Sequence, residues 1–282
     1  MGRRGPLTKT TQDPSDSGRG ANASNGGVDR DPGRIAGMFG RIAPRYDLMN
    51  RLMPAGLDRR WRRLAAVAGA LAPGDRALDV CCGTGDLALA LAELWPGADV
   101  TGLDFTAEML DIAREKAVAR GEGAVAGETV AGGRASATSP RFVQGDLLSL
   151  PFADGEFAAV TVGWGVRNVP DLPRALAEMA RVTRPGGRVV CLESTRPPEG
   201  IGRRFHQVWF ERLVPALGRL VAGEGSAYEY LPASVQDFPD ADRLSALMAA
   251  AGLTRVRYRR LGFGAVALHV AETPGDRAQV GV

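Results

Sequence analysis

Cysteine, histidine and long apolar runs are all scarce in this chain. Of 282 residues, three are Cys and two are His. Cys81 and Cys82 are adjacent, a spacing that rarely closes a bridge, so with Cys191 they make no disulfide framework and fit a reducing, cytoplasmic setting. His206 and His269 each stand in an apolar context that suits a structural histidine, and no His, Cys or carboxylate cluster has metal-ligand spacing, so no metal is expected. No apolar run approaches the roughly 20 residues of a membrane span. The N-terminal MGRRGPLTKTTQDPSDSGRG has basic residues without the hydrophobic stretch of an export signal. The net charge of +3 is too small to argue for nucleic acid, although it suits an anionic surface.

What the chain does have is 45% hydrophobic residues, enough for a sizeable core. Residues 1–33 are rich in Gly, Ser, Asp, Asn and Pro and read as a disordered tail. The segment 34–275 reads as one domain, interrupted at 120–140 by a second polar, glycine-rich stretch that suits a flexible surface insertion. Between these, strands alternate with helices: RALDVCC, then DLALALAELW; DVTGLDF, then TAEMLDIAREKAVAR with Thr106 as N-cap; RFVQGD; FAAVTVGWG, then a helix over 171–184; and GRVVCLEST. That alternation predicts an α/β, doubly wound, Rossmann-like sheet, mostly parallel. LTRVRYRRL and AVALHVAE, joined by GFG, add a C-terminal antiparallel hairpin. Helical additions are expected in front of the sheet, broken at Pro44 and Pro54, and as a cap over 200–236.

Gly83 and Gly85 lie between the first strand and its helix, where backbone N–H groups and the helix dipole can face a ligand. A glycine pair alone is a weak signal, and a tight turn is the plain alternative. Two acids sharpen it. Asp79 sits four residues before Gly83, suited to accept hydrogen bonds from an ammonium group, and Asp104 ends the second strand, within reach of ribose hydroxyls. A carboxylate as close as Asp79 would repel the pyrophosphate of a nicotinamide dinucleotide. S-adenosylmethionine carries a sulfonium and an amino group instead, so Asp79 favours that cofactor; an acid that only caps the turn is the alternative. Asp146 ends the third strand and can meet an adenine amino group, with Leu147 flanking the ring. After the fourth strand the chain reads GWGVRN, placing Arg167 and Asn168 at the tip of an apolar strand. Amino methyltransferases of nucleic acids carry Asn or Asp followed by Pro-Pro and an aromatic there, and cytosine C5 enzymes need Pro-Cys; this chain has neither, so no nucleic acid is expected as partner.

With DVCCGTGD, GLDFTAEML, GDLLSLPFADGEFAAVTVGWGVRNV and RVTRPGGRVVCLE, the chain resembles the class I S-adenosylmethionine-dependent methyltransferases. YDLMNRLMPAGLDRRW, GVRNV, EYLPASVQDFPD and GAVALH make it similar to the menaquinone and ubiquinone biosynthesis C-methyltransferases, from about Gly33 to Glu272. The resemblance implies S-adenosylmethionine contacts at Thr84, Asp104, Asp146 and Leu147, with Asp79, Gly83 and Gly85 in the same pocket. It departs from the family at Gly163, where a serine is common, and at Pro54 and Asp58, where serine and histidine are common.

The resemblance further implies methylation of a ring carbon of a polyprenylated quinol, demethylmenaquinol in one branch and a methoxy-benzoquinol in the other. A cation beside the ring oxygen favours its ionised form, which points to Arg167, a salt bridge to an acid in a loop being the alternative, with Asn168 fixing the ring or the guanidinium. Tyr46 and Asp47 are expected to close over the pocket, Asp47 either as proton acceptor or as a helix cap. The IGRRFHQVWFERLVPALGRLVAG segment is expected to line an isoprenoid path through Phe205, Trp209, Leu213 and Leu217, or simply to pack in the core. LDRRWRRLAAVAG reads either as a basic amphipathic helix on the anionic inner face of the cytoplasmic membrane or as a solvated charged face. A homodimer is left open.

Overall fold

The segments RALDV and FAAVTVG become central strands of the sheet. The computed structural model describes residues 30–52, 56–125, 139–197, 230 and 233–275. In it β1 (Arg76–Val80) and β4 (Phe157–Gly163) lie side by side, buried along almost their whole lengths. Only a strand covered on both faces can be buried at nearly every position, which is the mark of a parallel sheet under helices. β2 (Asp99–Asp104) and β3 (Arg141–Gln144) extend the sheet on one side of β1, while β5 (Thr183–Ser194), β7 (Val266–Glu272) and β6 (Thr254–Leu261) extend it beyond β4. The order is β3-β2-β1-β4-β5-β7-β6, parallel through β5, with β7 antiparallel to both neighbours. The expected doubly wound sheet with its terminal hairpin is the one observed.

Helices cover both faces. α2 (Leu57–Gly69), α3 (Asp86–Leu94) and α4 (Ala107–Val125) put Trp61, Ala65, Leu91, Leu110 and Ala113 into one core cluster. α5 (Leu172–Val182) and α6 (Ala241–Ala250) put Leu176, Met179, Leu244 and Met248 into the other. Each Leu or Met among them contributes roughly 1.5–3 kcal/mol when fully buried. α5 begins where Asp171 accepts the Arg174 N–H at 3.0 Å, and α6 where Asp240 accepts the Arg243 N–H at 2.9 Å; both are N-caps that satisfy an otherwise unpaired donor.

Three sequence boundaries shift. α1 spans Pro32–Leu52 and runs through Pro44, where a break was expected; proline removes only one helical hydrogen bond, the one to the Gly40 carbonyl. Residues 53–55, with Pro54, lie outside the described residues. α4 continues through Arg120–Val125, the first six residues of the expected 120–140 insertion, although Gly121 and Gly123 are poor helix formers. Arg30 and Asp31, placed in the tail by composition, are ordered against the domain. Almost all of the expected cap at 200–236 lies outside the described residues, including Phe205, His206, Trp209, Leu213 and Leu217. No described helix is long and apolar enough to cross a membrane.

Candidate functional site

Strand order reverses at β1, whose neighbours β2 and β4 are reached by connections running in opposite directions. The carboxyl ends of β1, β2 and β4 therefore splay around a crevice, the usual ligand position in such sheets. A cavity lies in that crevice and opens to solvent, the space in and in front of it amounting to about 1180 Å³. Asp79, Gly83, Thr84, Asp104, Asp146, Leu147 and Asn168 all line it. Residues separated by up to ninety positions meet because each ends a strand or opens the turn after one.

The glycine loop is held tightly. Gly83 and Gly85 both adopt left-handed backbone, at φ 54° and 80°. A Cβ on Gly85 would stand 2.8 Å from the Phe142 ring and 2.9 Å from Ala113, whereas nothing lies within 4 Å of one on Gly83. Gly85 thus lets α3 pack against its neighbours, and Gly83 faces the cavity. The Gly83 N–H donates to Asp104 at 2.8 Å, and the Thr106 N–H donates to the other oxygen of Asp104 at 2.9 Å. Burial pushes the Asp104 carboxyl above its usual range, against these hydrogen bonds. Lys116 donates to both Thr84 and Asp86 at 2.9 Å, pinning the loop to α4. Burial alone would raise Asp86, but Arg62 and Lys116 hold it below the usual carboxylate range.

Asp79 is the informative acid. It is 1% exposed; Oδ1 accepts the Thr161 hydroxyl at 2.8 Å, and Oδ2 is buried with no partner. Burial raises its carboxyl to about 7, with the Thr161 hydroxyl, the Ala88 N–H at the start of α3 and Arg62 opposing. An unpartnered carboxylate oxygen in a ligand cavity is costly unless a cationic donor occupies it, and an α-ammonium group is such a donor. Asp146 accepts the Leu148 N–H at 2.8 Å, while Leu147 is buried. Leu147, Leu148, Phe105 and Met109 make an apolar slot suited to an adenine ring. Cys81 and Cys82 also line the cavity, yet burial raises both thiols well above their ordinary value, so neither is poised as a nucleophile.

The sequence profile of the ubiE/COQ5 methyltransferase family matches residues 28–273. The chain belongs to that family. It is an S-adenosylmethionine-dependent methyltransferase, and the cavity has features suited to that donor: a buried carboxylate oxygen for an ammonium group and an apolar slot for an adenine ring. The demethylmenaquinone methyltransferase of Thermus thermophilus is 48% identical over 84% of this chain and 100% of its own length. That of Deinococcus radiodurans is 43% identical over 83% and 90%. The ubiquinone/menaquinone biosynthesis C-methyltransferase of Geobacter sulfurreducens is 40% identical over 85% and 88%. Solved structures share the fold at low identity. The [4+2]-cyclase SpnF matches with a TM-score of 0.62 at 18% identity, covering 88% of this chain and 99% of that one. An Aquifex aeolicus SAM-dependent methyltransferase matches at 0.54 and 15%, covering 80% and 97%. A fold shared by a cyclase and a methyltransferase leaves specificity to the side chains of the site.

At the acceptor side of this methyltransferase the geometry redraws the expected roles. Asn168 lines the cavity, and its Oδ1 accepts the Tyr230 hydroxyl at 3.1 Å. Arg167 does not line it. Its guanidinium turns away to Glu193, at 2.7 Å, and is 7% exposed. The carboxylate lies at the end of the neighbouring strand, and a buried cation settles on the nearest buried anion. Asp47 lies inside α1, five residues from its end, which removes the helix-capping alternative; the side chains of Tyr46 and Asp47 lie outside the described residues. Composition gave no sign of Arg30, Ile35 or Phe39, which also wall the cavity. Arg62 had a usable signal, the Asp58-x-x-x-Arg62 spacing of a helical ion pair, and its guanidinium lies 5.0 Å over the Trp164 ring.

Proposed function

We propose that this methyltransferase converts demethylmenaquinol to menaquinol. The reading is carried by the near-complete match to relatives named for that substrate, joined to a site whose acceptor end offers Trp164 and Phe39 as aromatic walls beside one amide, Asn168. S-adenosylmethionine supplies an electrophilic methyl group. With its Oδ1 engaged by Tyr230, Asn168 keeps its NH2 to donate to a ring oxygen and so stabilise the charge that develops there. Ionisation of the ring hydroxyl raises electron density at the adjacent carbon; that carbon takes the methyl group as the donor's sulfur–methyl bond breaks with its electron pair left on sulfur, and it then loses its proton to water, which restores the aromatic ring. Asp47, with Tyr46 beside it on α1, is the proposed acceptor of the hydroxyl proton. Arg167 supports this chemistry from behind the cavity wall. A quinone has no hydroxyl to ionise, so reduced demethylmenaquinone is expected to be methylated and the oxidised form not. Equal incorporation of labelled methyl into both would refute the ionised-ring mechanism.

The Geobacter relative's name keeps a benzoquinol acceptor in view. Side-by-side turnover with reduced demethylmenaquinone and the methoxy-benzoquinol is expected to favour the naphthoquinol by at least about tenfold in kcat/KM, an energy difference of roughly 1.4 kcal/mol. Preference for the benzoquinol would reassign the substrate.

A polyprenylated acceptor resides in lipid, and α2 exposes Arg59, Arg60 and Arg63 together with Leu57 and Val67. No acid pairs with these three arginines among the described residues. They suit the anionic inner face of the cytoplasmic membrane. Flotation is expected with anionic vesicles and to be lost in high salt; full recovery in the soluble fraction at low salt would count against a membrane-docked enzyme.

A further inference from the structure

We infer that Glu193 is a positioning residue for methyl transfer, acting through Arg167 to set the cavity lip that carries Trp164, Gly165 and Asn168. Past β4 the chain must leave the sheet sharply. Trp164 does so in left-handed backbone, at φ 56°, a conformation unfavourable for a large L-residue. Gly165 follows so close to Cys81 that a Cβ would stand 2.3 Å from the cysteine's own. A short 3-10 turn, Val166–Asn168, then brings the Asn168 side chain to the cavity. Such a turn does not hold itself.

Glu193 holds it. The residue is 1% exposed, on β5 directly after Leu192, whose carbonyl accepts the Trp164 N–H at 2.8 Å. Its Oε1 accepts from Arg167 Nη1 at 2.7 Å and from the Ser194 N–H at 2.8 Å, and its Oε2 from the Arg167 N–H at 3.4 Å. The same Nη1 donates to the Trp164 carbonyl at 2.7 Å. The carboxylate therefore fastens both the backbone and the side chain of Arg167, and the guanidinium closes the turn on itself. On the outer side, Arg30 Nε donates to the Arg167 carbonyl at 2.9 Å, while its Nη1 pairs with Asp237 at 2.7 Å.

A buried ion pair is poor at adding stability, since apolar replacements of similar volume are often as stable or more so. It does fix geometry, because two charges with directional donors tolerate few arrangements. At this place the geometry fixed is that of the acceptor wall, where a misplacement of about 1 Å can reduce turnover a hundredfold.

This inference rests on the methyl-transfer reading above, and its test separates the two. The central variant is the double replacement Arg167→Met with Glu193→Leu, which removes both charges together; Glu193→Gln serves beside it if the double variant does not fold. The expected result is a kcat lower by about a hundredfold with S-adenosylmethionine Kd within about threefold of wild type. Amide hydrogen exchange of residues 164–168 in the cofactor complex is expected to accelerate at least about tenfold, with the sheet strands unchanged. Wild-type turnover in the folded double variant would overturn the inference, as would unchanged exchange at 164–168 in whichever variant folds. Failure of wild-type enzyme to methylate demethylmenaquinol would sink the substrate assignment instead, and the exchange measurement would still decide the role of Glu193.

Discussion

Asp79→Asn is expected to weaken S-adenosylmethionine binding about tenfold to a hundredfold at pH 8 while making the ligand-free protein more stable. Both effects come from one atom. Oδ2 of Asp79 is buried without a partner, and the carboxyl titrates at about 7 because burial disfavours its charge. In the unfolded chain the same group titrates near 3.8. The folded protein therefore keeps a proton that the unfolded chain releases. Its stability is full below pH 3.8 and is lost as pH rises to about 7, by on the order of 4 kcal/mol at 1.36 kcal/mol per pH unit. Asparagine keeps the oxygen that accepts the Thr161 hydroxyl and cannot ionise, so thermal unfolding of the ligand-free variant at pH 8 should shift upward by several degrees. The bound ammonium restores the missing partner in wild type, through a charged hydrogen bond of about 1.5–3 kcal/mol. Cofactor affinity of the wild type should accordingly rise between pH 5.5 and 7.5 as Asp79 ionises, and that of the variant should stay flat over the same range. Equal affinity of the two proteins at pH 8 would show that the ammonium binds elsewhere.

The second large effect is expected at Gly85, and it is instructive beside Gly83. Both glycines have left-handed backbone, which costs an alanine about 1–2 kcal/mol. Only at Gly85 does the new methyl also collide, with Phe142 at 2.8 Å and Ala113 at 2.9 Å, adding roughly 1–3 kcal/mol of overpacking. Denaturant titration should find Gly85→Ala destabilised by about 2–5 kcal/mol and Gly83→Ala by no more than about 2. Affinity separates them the other way at the ligand, because Gly83 faces the cavity and its N–H is already fixed by Asp104. Equal stability losses would mean that backbone conformation, and not packing under α3, sets the requirement for Gly85.

Much of this enzyme is legible along the chain because the residues lining its cavity are tied to local features. Asp79, Asp104 and Asp146 end strands or follow them immediately, and a parallel sheet gathers strand ends on one side by construction. The glycine loop is a strand-to-helix turn, recognisable from its own residues. α1 was harder: Pro44 suggested a break, but the helix runs unbroken from Pro32 to Leu52. Arg30 and Phe39 were invisible as site residues because their place on the cavity wall follows from how α1 docks, a matter of long-range contact.

The order of apolar and polar segments by itself determined the alternating α/β fold, the glycine loop and the acids around it, since each depends on periodicity or on residues adjacent in sequence. The direction of Arg167 was decided only in three dimensions. Its neighbours along the chain present it at a strand tip beside a ligand, but Glu193, twenty-six positions away, accepts from its guanidinium at 2.7 Å. A charge buried near the end of one strand is governed by whichever opposite charge the next strand delivers, and strand pairing, which sequence order does not display, makes that delivery.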